Sequence, residues 1–115
     1  MPDAARPRVL LLAAEGMGRG DEDLGKTILA NFLKTLVASP LRPEKIVCWN
    51  AGVKLLAADS PVVGSLQDLE GVGVEILACK TCVDRFGIQN ALRAGEISTM
   101  PALADLLLRS EVLSV

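Results

Sequence analysis

Residues 73–82 have the sequence GVEILACKTC, and this stretch decides how the rest of the chain is interpreted. The apolar run from Gly73 to Ala78 predicts a short, fully buried strand. Cys79 follows the strand at once, and a helix is predicted to begin near Thr81. A buried strand that leads directly into a helix is typical of α/β proteins, in which helices cover a parallel sheet.

The same alternation of strands and helices extends outward in both directions. Short apolar runs predict further strands at residues 8–14, 45–50 and 111–115. Helices are predicted at residues 21–38, from 60 to about 70, and from 98 or 99 to 109. Gly87 and Gly95 are predicted to divide the stretch before the last helix into short helices. The sequence therefore predicts one α/β domain over residues 1–115, with a mainly parallel sheet.

Composition and charge exclude several classes of protein. The net charge of −2 gives no reason to expect nucleic acid or an anionic membrane as a partner. The N-terminal apolar run ends at Glu15 and is too short for a secretory signal or a membrane-spanning helix. We therefore expect a cytoplasmic protein without membrane contact, in a reducing compartment where thiols stay free.

The chain has three cysteines and no histidine. The lack of histidine excludes a Ser-His-Asp triad, a Cys-His pair and a histidine-ligated metal site. The Cys79-x-x-Cys82 spacing occurs in zinc sites, but four ligands are needed, and a zinc site here would have to be shared between subunits. We expect no metal and no cofactor. Cys48 is placed in the core, because it lies inside the buried strand KIVCWN.

Cys79 and Cys82 are the candidate reactive residues. The position of Cys79 between a strand and a helix start, next to the cation of Lys80, favours the thiolate form of its side chain. A second thiol three positions further on is within reach for disulfide exchange. The alternative is that both cysteines are small packing residues.

The candidate binding residues follow from the expected sheet. Parallel strands bring their carboxyl ends to one edge, where such sheets bind ligands. We therefore expect the loops at residues 15–20, 50–52 and 79–82 to share that edge. The candidate binding residues in these loops are Gly16, Gly18, Gly20, Asn50, Gly52, Lys80 and Thr81.

The sequence GDEDLGKT at residues 20–27 fits the phosphate-binding P-loop pattern. A P-loop directs backbone N–H groups at phosphates, however, and the three carboxylates at residues 21–23 would repel them. No predicted strand ends in the aspartate that helps to hold magnesium. The structural interpretation is that the glycines allow a tight turn, the acids begin a helix and Lys26 is solvated.

Four stretches together resemble the DsrE/DsrF-like family, and most of all its YedF branch, described as sulfurtransferase-like selenium metabolism proteins. They are GMGRGDEDLGKTILANFLKTL (16–36), KIVCWNAGVKLL (45–56), GVEILACKTCVDRFGI (73–88) and LRAGEISTMPALADLLL (92–108). The chain differs from the branch at Lys80, where glycine is usual, and at Thr99, where asparagine is usual.

The resemblance implies a three-layer α/β/α fold with about five strands, and homo-oligomers such as dimers, trimers or hexamers. It also implies sulfur-relay chemistry, in which a cysteine at the position of Cys79 accepts a sulfur (or selenium) as a persulfide and passes it on. Cys82 would then resolve or release the sulfur. The branch often carries a TusA-like domain ahead of this one, so a separate TusA-like sulfur carrier protein is the expected partner.

Two other functions stay open. One is a non-catalytic oligomeric protein that binds a small ligand or a partner at the same edge of the sheet. The other, which the carboxylates of residues 21–23 disfavour, is a P-loop nucleotide-binding protein.

Overall fold

Strands and helices alternate along the computed structural model, which describes residues 6–115. The strands are β1 (Arg8–Leu12), β2 (Lys45–Cys48), β3 (Glu75–Cys79), β4 (Glu96–Ser98) and β5 (Glu111–Ser114). The helices are α1 (Glu22–Ala38), α2 (Val63–Gly71), α3 (Lys80–Phe86) and α4 (Met100–Arg109), with a 3₁₀ helix at Asn50–Leu56. The sequence predicts no secretory signal at the N-terminus, and residues 1–5 of that segment lie outside the described residues.

The five strands form one sheet in the order β4-β3-β2-β1-β5, and every pairing is parallel. The registers align Leu12 of β1 with Cys48 of β2, and Cys48 with Ala78 of β3. The carboxyl ends of the three central strands therefore meet at one edge of the sheet. We refer to this edge as the carboxyl edge.

Helices cover both faces of the sheet. On one face lie α1, α2 and the 3₁₀ helix, whose buried side chains include Leu33 and Leu66. On the other face lies α4, which contributes the buried Leu103. Because side chains alternate along a strand, the last two residues of β3 separate: Ala78 packs in the first layer and Cys79 in the layer with α4. The result is the predicted α/β/α fold, with a five-stranded sheet that is parallel throughout.

One predicted stretch is wrong. Residues 88–98 contain no helix and instead include β4, which pairs with residues 77–79 of β3. Gly95, with a φ of +80°, turns the chain into this strand. The local pattern around Gly87 and Gly95 predicts short helices, whereas pairing with the neighbouring strand β3 determines the structure of residues 96–98.

Among residues 6–115, the strand β5 lies at one end of the sheet and pairs with β1 alone. All four of its residues are exposed, including Leu113 at 57%. None of the helices in residues 6–115 combines the length and apolar character that crossing a bilayer requires.

Candidate functional site at the carboxyl edge

Cys79 is the last residue of β3 and the residue that precedes the first turn of α3. Its side chain is 1% exposed and packs in a cluster with Val9, Val47 and Leu103. Cys79 thus lies under α4, at the strand end that the sequence predicts. Its burial separates it from solvent.

Cys82 lies one turn into α3 and is partly exposed. The backbone N–H of Asn50 donates a hydrogen bond to its Sγ atom over 3.0 Å. Asn50 has a φ of +50°, a left-handed conformation that few residue types adopt without strain. The turn after β2 thereby directs a backbone donor at the Cys82 sulfur.

The two thiols at residues 79 and 82 also interact with each other. Burial raises the pKa of Cys82, the hydrogen bond from Asn50 lowers it, and the hydrogen bond and charge of Cys79 raise it again. The net pKa shift is upward, because burial outweighs the single N–H donor. All three cysteines of the chain are free thiols.

Lys80 and Thr81, the two residues between these cysteines, are exposed. The Lys80 ammonium lies 2.6 Å from a carboxylate oxygen of Asp84, one helical turn away. The hydrogen bond from Lys80 lowers the pKa of Asp84, and Gln89 donates a second one over 3.1 Å. The predicted cation next to the thiols is therefore engaged by a carboxylate on its own helix.

The glycine loop, residues 13–20, folds tightly onto the first turn of α1. The N–H of Met17 donates to the carbonyl of Gly25 over 2.9 Å. A Cβ atom on Gly16 would lie 2.8 Å from the Gly25 carbonyl carbon, so close approach requires glycine at both positions. Gly18 and Gly20 have φ values of +74° and +122° and are exposed. Glycine at these four positions is explained by the backbone alone.

Gly52 lies where the turn after β2 packs against the end of β1, at the carboxyl edge. A Cβ atom here would collide with the carbonyl group of Leu12, at the end of β1. The neighbouring Trp49 N–H donates to the same carbonyl over 3.1 Å. The structure therefore holds the turn after β2 against the end of β1, two residues from the Asn50 N–H.

Two clefts open beside the glycine loop, and no cysteine lines either of them. One has a volume of about 450 Å³ and is lined by the loop itself, with Lys26 and Ala51. The other, of about 410 Å³, is lined by Lys26, Lys54 and Phe86 among others. The structure thus brings Asn50 and Cys82 together, but it places Gly16, Gly18 and Gly20 around a different opening.

Two features of this edge are not predicted by the sequence. The contact between Asn50 and Cys82 joins residues 32 positions apart, and no local pattern signals it. The Lys54 ammonium lies 4.4 Å from the centre of the Phe86 ring, again across a long sequence separation.

Cys48 is fully buried, and burial raises the pKa of its thiol to about 12. It is a core residue, as the sequence predicts. Within residues 6–115, no group of three or more His, Cys, Asp or Glu side chains is arranged to hold a metal ion.

The fold is similar to those of several solved structures. The YchN protein from E. coli superposes with a TM-score of 0.71 at 21% identity, over 96% of this chain and 99% of that one. A protein of unknown function from Methanobacterium thermoautotrophicum, MTH1491, gives 0.63 at 18% identity, over 95% and 99%. A conserved protein of unknown function from Bacteroides thetaiotaomicron, BT1422, gives 0.61 at 24% identity, over 95% of each chain.

At these identities the likeness establishes the fold and not the activity. No functionally curated protein matches the chain significantly. The model of the DsrE/DsrF-like family matches residues 8–115, which is nearly the whole sequence and includes every candidate site residue. The chain belongs to the DsrE/DsrF-like family.

Proposed function

We propose that this chain is a sulfur-relay protein that carries a sulfur, or a selenium, on the thiol pair of Cys79 and Cys82. The hydrogen bond from the Asn50 N–H to the Cys82 sulfur is the observation that carries the proposal. A backbone donor 3.0 Å from a partly exposed sulfur can stabilise the negative charge that the sulfur bears as a thiolate. The second thiol belongs to the buried cluster against which the first packs, and it provides a way to release what the first has accepted.

The chemistry needs no cofactor. A protein thiolate attacks the outer sulfur of a persulfide donor, R–S–SH, so that a new S–S bond forms on the protein and the donor's S–S bond breaks. The donor leaves as the thiolate R–S⁻ and the protein holds a persulfide, with no net oxidation or reduction. An acceptor thiolate then takes the outer sulfur by the same exchange. The family resemblance assigns the accepting step to Cys79.

Mass spectrometry after incubation with a persulfide donor, such as glutathione persulfide, tests this function. We expect the wild-type protein to gain about 32 Da, the mass of one sulfur atom. The Cys79→Ala/Cys82→Ala double variant should gain nothing, whereas Cys48→Ala, which removes only the core thiol, should still gain it. A folded wild-type protein that gains no sulfur from any persulfide donor contradicts the proposal.

We also propose that the chain acts as a homo-oligomer and exchanges sulfur with a TusA-like carrier protein in the cytoplasm. The exposed strand β5 supports the first part. Its outer edge is unpaired within the described residues, and such an edge with apolar side chains is a common site of association. Val112 and Leu113 are 41% and 57% exposed there. Native mass spectrometry of the same samples counts the copies, and a monomer at working concentration contradicts this part.

A second candidate function is the binding of a small ligand without chemistry. The clefts beside the glycine loop favour it, because Lys26 and Lys54 line an opening of about 410 Å³ that is separate from the thiols. The incubation with a persulfide donor separates the two functions, since a protein that only binds a ligand gains no covalent sulfur.

A further inference from the structure

We infer that Cys82, and not Cys79, is the thiol that exchanges sulfur with other molecules, and that Cys79 is its buried resolving partner. This inference rests on the proposed sulfur-relay function and reverses the order of the two thiols that the family resemblance implies. Burial and hydrogen bonding of the two sulfur atoms carry it.

Access distinguishes the two thiols first. An incoming persulfide must align its S–S bond with the attacking sulfur, so the attacking thiol has to meet solvent. Cys79 is 1% exposed, enclosed by β1, β2 and α4. Cys82 is partly exposed and lies at the carboxyl edge, in contact with the exposed residue Asn50.

The backbone donor at the Cys82 sulfur is the second observation. The Asn50 N–H is 3.0 Å from the Cys82 sulfur, within the range for hydrogen bonds to sulfur. This donor lowers the pKa of Cys82 against the larger effect of burial, which raises it. It favours the thiolate both before attack and when an acceptor removes the outer sulfur and restores the thiolate. The Asn50 φ of +50° and the close fit of Gly52 against Leu12 hold the donor in place. Asn50 is thus a positioning residue that acts through its backbone.

The buried thiol then has a defined chemical role. When no acceptor arrives, the Cys79 thiolate attacks the Cys82 sulfur, forms a Cys79–Cys82 disulfide and expels hydrosulfide, HS⁻. A dithiol reductant supplies the two electrons and two protons that return both thiols. This step needs the two thiols side by side, and Cys82 packs against the buried cluster that contains Cys79.

The three cysteines fall in three different tryptic peptides, which makes the order of the thiols measurable. Cleavage after Lys45, Lys54, Lys80 and Arg85 places Cys48 in residues 46–54, Cys79 in 55–80 and Cys82 in 81–85. Brief treatment of the folded wild-type protein with iodoacetamide should label the peptide 81–85 faster than 55–80 by about tenfold or more, because Cys82 is the more accessible thiol. Faster labelling of 55–80 overturns the inference whether or not a sulfur donor is found.

Single variants test the sulfur-bearing step. After reaction with glutathione persulfide, Cys82→Ala should carry no added sulfur. Cys79→Ala should carry it and keep it longer than the wild type, with no release of HS⁻. Sulfur on folded Cys82→Ala, or none on folded Cys79→Ala, overturns the inference while the relay function stands. A wild-type protein that accepts no sulfur contradicts both the relay function and the inferred order of the thiols.

The role of the Asn50 N–H is tested by a matched pair of variants. Asn50→Gly keeps the positive φ and the donor, and should leave the pH profile of Cys82 labelling unchanged. Asn50→Val disfavours that φ and should move the midpoint of the profile to higher pH. Equal pH profiles of Cys82 labelling for the two variants would show that the Asn50 N–H does not stabilise the Cys82 thiolate.

Discussion

The glycine loop and the turn from Cys79 to Cys82 occupy equivalent places in the fold. Each follows a buried parallel strand at the carboxyl edge and leads into a helix. The glycine loop leads into α1, of 17 residues, and is exposed except at Gly16 and Met17, which are half-buried. The turn from Cys79 to Cys82 consists of the last residue of β3 and the first residues of α3, a helix of seven residues, and its Cys79 is buried.

The two turns differ most in how their polar groups are satisfied. At α1, the carboxylate of Asp21 accepts the N–H of Leu24, so the chain itself occupies the helix start. At α3 no side chain in the described part of the chain caps the helix, and the polar contact is instead a backbone N–H directed at a sulfur atom. The pattern that resembles a P-loop therefore lies at a helix start where the Asp21 side chain already accepts a backbone N–H. The turn from Cys79 to Cys82 has the less specific sequence pattern, but it contains the thiols that can react.

The largest effect is expected at Gly52, which holds the two regions together. A Cβ atom at this position would overlap the Leu12 carbonyl, so Gly52→Ala must displace the turn after β2 or the end of β1. We expect a loss of about 3 kcal/mol in the free energy of unfolding, at the upper end of overpacking costs. Urea denaturation measures it.

The control for this variant is Gly64→Ala. Gly64 lies in α2, and a Cβ atom there meets no other atom within 4 Å. Because alanine favours helix, Gly64→Ala should be neutral or stabilising by up to about 1 kcal/mol. Equal stability of the two variants would show that the contact between Gly52 and Leu12 does not constrain the edge.

The central strands and the long helices could be predicted because their signals are local. RVLLL and KIVC are apolar runs, and the apolar residues of α1 recur at helical spacing. The strand β4 could not be predicted in the same way. It has three residues, two of them exposed, and it exists because β3 offers an unpaired edge.

The candidate site was predictable in part for the same reason. The position of Cys79 at a strand end follows from local pattern, and the burial of Cys48 follows from its strand. The burial of Cys79 under α4 depends on a helix more than twenty positions away. The donor for Cys82 depends on a positive φ at Asn50, in a turn that packs through Gly52 against the end of β1, and this packing is not a local signal.

An intermediate effect is expected at the cap of α1. Asp21→Ala removes the oxygen that accepts the Leu24 N–H over 3.0 Å, and should lower the free energy of unfolding by about 1 kcal/mol. Asp21→Asn keeps an oxygen cap and changes only the charge, so its unfolding free energy should stay within about 0.5 kcal/mol of the wild type. Thermal or urea unfolding of both variants measures the difference. If Asp21→Ala is as stable as Asp21→Asn, the helix start is not closed by this side chain.

The smallest effect, essentially none, is expected when magnesium and ATP are added. A nucleotide phosphate at the glycine loop would have to displace the Asp21 carboxylate from the Leu24 N–H and approach the exposed acids Glu22 and Asp23. Lys26 alone does not offset these charges. We therefore expect the melting temperature to change by less than about 1 °C at millimolar nucleotide. A larger shift that Lys26→Ala abolishes would mean that the loop binds phosphate in spite of its own cap, and the contrast between the two turns would then fail at the glycine loop.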